Sequence, residues 1–149
     1  MAVKDIDRGW NRFVREMEKA RTMEVAVGIF EGSRNAEGES IAEYATYNEF
    51  GTAKIPARPF MALSVDRNKA AIAKDLDSGM NRITSGASTV HKELNRIGAK
   101  QASRVQATIT GPNIPPPLSP VTVARKGSTK TLVDTGAMTN AVTWELRTK

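Results

Sequence analysis

Lys92, Arg96, Lys100 and Arg104 recur at four-residue steps. On a helix, that spacing stacks them along one face. Such a column of cations suits the carboxylates of a neighbouring protein or the phosphates of a passing duplex. It is also a common form of plain solvated helix face, and the spacing alone does not separate these readings. A second candidate lies in Ile55-Pro56-Ala57-Arg58-Pro59-Phe60. An arginine can form a two-pronged bond to a carboxylate, and a phenylalanine is a large apolar anchor. The two prolines fix two φ angles, so little entropy is lost when such a segment docks. Glu49 is the nearest suitable carboxylate in sequence. The expectation is that Arg58 pairs with Glu49 or with an acid of another molecule. The alternative is that Arg58 and Phe60 staple the loop to their own helix.

The residues that would carry out a reaction are not arranged to do so. The sequence has one histidine, His91, and no cysteine. A metal site needs several ligands, and no HExxH or Hx3H spacing is present. Asp75 and Asp77 are two apart, so on a helix they point in different directions and cannot act on one group. Glu37 and Glu39, like Asp75 and Asp77, read as solvated faces. Serines 33, 40, 64 and 119 have no base nearby in sequence, and there is no GxSxG elbow. Neither GxGxxG nor GxxxxGK[ST] occurs, so no glycine-rich phosphate cradle is expected. The expectation is a protein that is not an enzyme and has no cofactor or metal.

The elements that position these residues follow from hydrophobic spacing. Residues 5–22 read as a helix, with Ile6, Trp10, Phe13, Val14 and Met17 on one face and Asp5 and Asp7 near its start. Residues 24–30 alternate as a strand through Val25, Val27 and Ile29, and the polar, glycine-containing stretch 31–39 reads as a flexible loop. Ser40 with Glu43 fits a capping box for a short helix. Ile41, Ala45 and Asn48 face one way on it, and Gly51 is placed to end it. A helix over 62–83 carries Val65, Ile72, Leu76, Met80 and Ile83 as its apolar stripe. A turn near Ser85-Gly86 leads to a helix over 88–109. Its apolar line is Val90, Leu94, Ile97, Val105 and Ile109, with Gly98, Ala99 and Ala102 as small fillers and the four cations opposite. So short a link predicts an antiparallel helical hairpin. Residues 110–136 hold five of the seven prolines and read as a long proline-rich arm with one helical turn near 120–125. The arm has few apolar anchors and is expected to be mobile until it meets a neighbour. A strand near 141–147 closes the pattern, with Val142, Trp144 and Leu146 alternating.

The expected fold is therefore α+β in a single domain over 1–149: a small, mostly antiparallel sheet packed against the long hairpin, with an N-terminal helix and the arm over 110–136. With 40% hydrophobic and 26% charged residues the chain fits an ordinary globular domain. Aromatics are only 5%, so the core must rest on aliphatic side chains. The absence of cysteine excludes disulfides and thiolate chemistry. The first residues have no apolar signal segment, and no run of apolar residues is long enough for a membrane span. A net charge of +6 raises the odds of an acidic or nucleic-acid partner. The scattered cations and scarce aromatics argue against a dedicated nucleic-acid module, which is kept as the alternative.

Three segments in order carry a family signal. They are Tyr44-Ala45-Thr46-Tyr47-Asn48-Glu49-Phe50-Gly51-Thr52, continuing through Ile55-Pro56-Ala57-Arg58-Pro59-Phe60-Met61; then Pro117-Leu118-Ser119-Pro120-Val121-Thr122-Val123-Ala124-Arg125-Lys126-Gly127; then Leu132-Val133-Asp134-Thr135-Gly136-Ala137-Met138. Over roughly 44–147 the sequence resembles the minor tail components and virion morphogenesis proteins of tailed bacteriophages. The proline-rich segment is similar to the tail-completion branch, and Asn48-Glu49 leans to the neck branch. The resemblance implies a structural protein of the virion's head–tail junction, made and assembled in the bacterial cytoplasm. It also implies a ring of identical copies, a hexamer or dodecamer. The expected neighbours are connector, tail-terminator or tail-tube proteins; DNA would pass through without specific binding, and no membrane is involved. Glu49, Arg58, Pro59, Phe60, Leu118, Arg125 and Lys126 are the expected interface residues. In the third segment Asp134 is expected to cap a turn and Gly136 to supply a positive φ.

Overall fold

The structure, a computed structural model, describes residues 7–133 and 135–149. Among them helix and strand are mixed, with an antiparallel sheet of two strands. The elements in chain order are α1 (Trp10–Thr22), β1 (Met23–Gly28), α2 (Ile41–Phe50), α3 (Phe60–Thr84), α4 (Val90–Thr110), α5 (Pro120–Lys126), α6 (Ala137–Ala141) and β2 (Thr143–Thr148).

Strands β1 and β2, far apart in sequence, pair from Met23 with Thr148 to Gly28 with Thr143. They lie on α4, and Gly98 is the point of closest approach. A Cβ at that position would sit 2.5 Å from Trp144 Cδ1 and 2.7 Å from Val25 Cγ2. The Trp144 indole donates to Asn95 Oδ1 at 3.1 Å, which fixes the ring along the helix.

Helix α4 is the centre of the molecule. Val90, Ile97, Val105 and Ile109 are buried on the line expected from their spacing. The main core surrounds its C-terminal half, where Ala102, Val105 and Ile109 meet Ile41 and Ala45 of α2, Phe60 of α3 and Met138 of α6. Helix α2 matches its expectation closely. Ser40 accepts from the Glu43 amide, the buried residues are Ile41, Ala45 and Asn48, and Gly51 ends the helix at φ 76°. The preceding loop is tied down: Asn35 and Glu39 exchange hydrogen bonds between side chains and backbone, and Arg34 bridges to Ser40.

Helix α3 departs from its expected packing. Val65, Leu76 and Met80 are exposed, and the buried positions are Phe60, Ser64, Gly79 and Ile83. The face turned to α4 is bonded through charges as well as packed. Arg82 donates twice to Glu93, from Nε at 3.0 Å and Nη2 at 2.5 Å, while Asp75 accepts from both Lys100 and Arg104 at 2.5 Å. These partners run in opposite directions along the two helices. Asp75, expected to be a solvated acid, is thus largely enclosed between two cations.

Helix α1 starts later than expected. Asp7 accepts from the amides of Gly9 and Asn11, and Gly9 adopts φ 102° just before the first turn. Trp10 and Val14 are exposed, whereas Glu16 is buried. The helix is anchored by polar bonds: Glu16 accepts from the Val90 amide, and Arg12 donates to Ser88 O at 2.8 Å. Asp5 and Ile6 lie outside the described residues, as does Asp134 with its expected turn cap.

The segment over 110–136 is not an extended arm. It leaves the body and returns, with Ile114 and Leu132 both buried in the core. Its base is laced by Asn113 Nδ2 to Thr129 O and by Lys130 Nζ to Thr110 O and Gly111 O. Two apolar residues at the ends of the segment are enough to dock it. Between them, α5 has Ser119 as its cap and Gly127 at φ 68° as its stop. Gly136 has the expected positive φ, at 80°, but a short helix, α6, follows it before the closing strand, which the sequence did not suggest.

Candidate functional site

The three sequence segments singled out above meet in space. Asn48, near the end of α2, donates from Nδ2 to Tyr44 O, and its own carbonyl accepts from the Arg58 amide at 2.6 Å. Between them the chain turns tightly, with the Gly51 amide on Tyr47 O and Thr52 accepting from the amides of Lys54 and Ile55. A side chain at Gly51 would come within 2.9 Å of the Ala57 amide nitrogen. The NEFG and IPARPF stretches therefore form one compact backbone knot.

Arg58 does not pair with Glu49. Its guanidinium crosses to the proline-rich segment, donating from Nε to Pro116 O at 2.9 Å and from Nη2 to Pro117 O at 3.4 Å. Glu49 instead accepts from the amides of Met61 and Ala62, at 2.9 and 3.0 Å, and so caps the N-terminus of α3. The physical reason is local supply. Pro59 gives α3 no side-chain cap, so its first free amides are the strongest donors within reach of a carboxylate. The prolines in turn leave carbonyls without neighbouring N–H groups, which suits a buried guanidinium.

Burial also corrects the expected interface. Arg58 is 4% exposed and Phe60 1% exposed, so both are interior in this chain and neither is a surface anchor. They staple the loop to its own body, the alternative that the sequence allowed. Pro59 remains exposed, and Glu49 is half-buried by its capping role. The exposed apolar groups that sequence reading did not select are Phe50 and Val121, at 77% and 79%, together with Tyr44 and Tyr47 on the outer face of α2.

The basic column on α4 is likewise divided. Lys100 and Arg104 turn towards α3 and hold Asp75, and Arg96 Nε lies 3.9 Å from Glu93. Lys92 is exposed at the start of the helix. The column is therefore partly neutralised, by Asp75 of α3 at Lys100 and Arg104 and by Glu93 of α4 itself near Arg96. The largest influence on Asp75 is the Lys100 hydrogen bond, and with Arg104 it holds that carboxyl below its usual range.

Cations concentrate elsewhere, in a cleft of about 780 Å³ between the IPARPF turn and α5. Lys54, Arg58, Arg125 and Lys126 line it, and no described Asp or Glu does. Its walls include Ile55, Pro56, Pro117 and Leu118. Ser119 and Thr122 add hydroxyls, which bond to each other at 2.9 Å. Lys126 Nζ donates to Lys130 O, so that side chain is held in place. Of the seven expected interface residues, Arg58, Leu118, Arg125 and Lys126 line this cleft, and nothing in the sequence singles out Lys54 or Thr122. A smaller cleft of about 380 Å³ shares Tyr44 and Arg125 and is lined on its other side by Glu37 and Glu39.

Among the described residues, no group of three or more His, Asp or Glu is placed to hold a metal ion, and no helix is long and apolar enough to cross a membrane. His91 is exposed, with Nδ1 3.3 Å from Asn95 Nδ2. Comparison with protein-family models, with curated proteins and with solved structures finds no match to this chain.

Proposed function

We propose that the chain is a structural protein of a tailed bacteriophage, acting at the head–tail junction as a neck or tail-completion subunit. It works through protein–protein contacts in a ring of its own copies, a hexamer or dodecamer, seated against connector, tail-terminator or tail-tube proteins. The observation that carries this reading is the use made of the phage-like motifs. Arg58, Glu49 and the prolines at 116 and 117 are engaged in holding backbone, with Arg58 on two carbonyls and Glu49 on two amides. Motif residues used in this way build a shape, as a subunit of an assembly requires, and leave no reactive group poised for a substrate.

The exposed aromatic and aliphatic groups Tyr44, Tyr47, Phe50 and Val121 supply anchors of the kind that interfaces bury. The α3–α4 pair, read as a rigid hairpin under the small sheet, supplies the stiff body from which they project. The alternative, a basic nucleic-acid-binding module, loses its main argument because Lys100 and Arg104 are engaged with Asp75. DNA then has no more than a passive place, threading the ring.

The test is an image of particles assembled without this protein. Filled heads lying beside unattached tails are the expected result. Normal, infectious particles would overturn the proposal.

A further inference from the structure

We infer that identical copies of this chain dock head to tail, with Trp10 of one copy seated in the apolar depression beside Phe50 of the next. This rests on the proposed ring and names the two faces that meet in it.

The inserting face is α1. Trp10 is 68% exposed, uncommon for a tryptophan. Its ring leans on Phe13, with centroids 5.5 Å apart, so the indole projects with little freedom left to lose. Val14, one turn on, is exposed as well. Arg8 and Arg15 are exposed and form no ion pair among the described residues, and Arg12 holds only the neutral Ser88 O. The acids of the same stretch are engaged: Asp7 accepts from backbone amides, Glu16 pairs with Lys19 and Glu18 with Arg21. An apolar knob thus stands among arginines.

The receiving face lies beside α2. A depression of about 270 Å³ is walled by Ile29, Ala42, Phe50 and Met61. Phe50 is 77% exposed, an aromatic wall that its own chain leaves uncovered. The lining includes one acid, Glu49, and no Lys or Arg. Glu31 and Glu43, both exposed, follow Ile29 and Ala42 closely in sequence. Glu43 accepts from the neutral Tyr47 hydroxyl, and Glu31 has no ion-pair partner among the described residues. The cations of the neighbourhood are engaged or turned elsewhere. Arg34 holds Gly38 O, Arg147 over Phe30 pairs with Glu145, and Lys54 lines the cleft beside Arg58. Glu37 and Glu39 border the cleft that they share with Arg125 and add nothing to this count. An indole among arginines therefore matches an apolar hollow among glutamates, in shape and in charge. Thr46 Oγ1, which donates to Ala42 O, still has a lone pair for the indole N–H.

Trp10 cannot fill the depression of its own chain. Helix α1 is tied to the turn end of the α3–α4 hairpin, through Arg12 on Ser88 O and Glu16 on the Val90 amide. Met61 lies in the first turn of α3, at the other end. At the rise of a helix, the length of α3 separates the two by about 35 Å. Two different surfaces at opposite ends make a heterologous contact, the kind that closes identical copies into a ring or runs on as a filament. A two-fold contact would instead set arginines against arginines or glutamates against glutamates.

The test is sedimentation of the full chain over a range of concentrations. The unaltered chain is expected to associate beyond the dimer. If it stays monomeric up to about 1 mM, the weak limit of a specific contact, the inference is overturned. Trp10→Ala removes the knob, and Phe50→Arg obstructs the hollow with a cation; both side chains are exposed. Each variant alone is expected to associate at least about tenfold more weakly. Arg15→Glu tests the same face without altering the indole and is expected to weaken association about tenfold. Val121→Asp, exposed on α5, is expected to change it less than about twofold. Mixed in equal amounts, Trp10→Ala and Phe50→Arg are expected to form dimers and nothing larger, because one intact knob meets one intact hollow. A mixture that stays monomeric overturns the inference, as does unweakened association of Trp10→Ala and Arg15→Glu, or an equal loss in Val121→Asp. If particles assemble normally without the protein while this association is measured, the assembly reading fails and this one stands. If Trp10→Ala restores particles in full, this one fails and the assembly reading stands.

Discussion

The carboxylate of Glu16 accepts a hydrogen bond from the Val90 amide at 2.8 Å, joining residues 74 positions apart. Val90 is the first residue of α4, where amides have no partner within the helix. Thr89 caps locally by accepting from the Lys92 amide, and Glu16 adds a charged acceptor from α1. The Val90 bond is the largest influence holding the Glu16 carboxyl below its usual range. Glu16→Ala leaves that buried amide unsatisfied and is expected to cost about 1–3 kcal/mol, read from the urea midpoint at an unchanged slope. Glu18→Ala, on the exposed side of the same helix, is expected to be nearly neutral.

The Glu93 carboxyl is 1% exposed and is held down to about 2, first by the Arg82 hydrogen bonds, with Ser88 and Arg96 assisting against burial. A carboxyl depressed on folding stabilises above its unfolded value near 4.5, and that contribution is lost as the pH falls towards 2. The gap between 4.5 and about 2 corresponds to roughly 3 kcal/mol of pH-dependent stability. Stability is therefore expected to fall across that window. Glu93→Gln should be less stable at neutral pH and show a flatter profile below pH 4.5, measured by unfolding at stepped pH.

Much of the fold is legible in the sequence where local rules act alone. The Ser40 cap, the Gly51 stop and the buried trio Ile41, Ala45 and Asn48 follow from spacing over a few residues. The apolar line of α4 follows from its period. What spacing cannot supply is which polar group another element will meet. Asp75 and Asp77 look alike in sequence, yet α4 encloses one between Lys100 and Arg104 and leaves the other exposed. Val65, Leu76 and Met80 form a fair apolar stripe, but charged contacts and Gly79 set the face that α3 presents to α4. The candidate site divides in the same way. Leu118, Arg125 and Lys126 were visible as a group because they are close in sequence, whereas Lys54 joins them only through the fold.

At Gly98 two effects of opposite sign compete. Alanine there would favour the helix by about 1 kcal/mol. Its Cβ, however, would stand 2.5 Å from Trp144 Cδ1 and 2.7 Å from Val25 Cγ2, which forces the ring and the strand away from α4. Overpacking of that kind costs about 1–3 kcal/mol, so net destabilisation is expected. The displaced indole would also leave Asn95 Oδ1, and the near-ultraviolet circular dichroism of Trp144 should change with the loss of stability. A stabilised variant with an unaltered tryptophan signal would contradict the close approach.

Arg58 holds the proline-rich segment through a planar group that reaches two successive carbonyls, Pro116 O and Pro117 O. Lysine keeps the charge but is a single point donor on a flexible stem, so Arg58→Lys cannot reproduce the geometry. The rest of that segment has anchors of its own in Ile114, Leu132 and the Asn113 and Lys130 bonds. The expected consequence is therefore local opening. Exchange at the amides of Leu118, Ser119 and residues 121–127 should accelerate in Arg58→Lys by about tenfold, equivalent to roughly 1.4 kcal/mol, while the amides of α4 keep their protection. Equal acceleration in both regions would mean that Arg58 supports the whole core and not the segment that it touches.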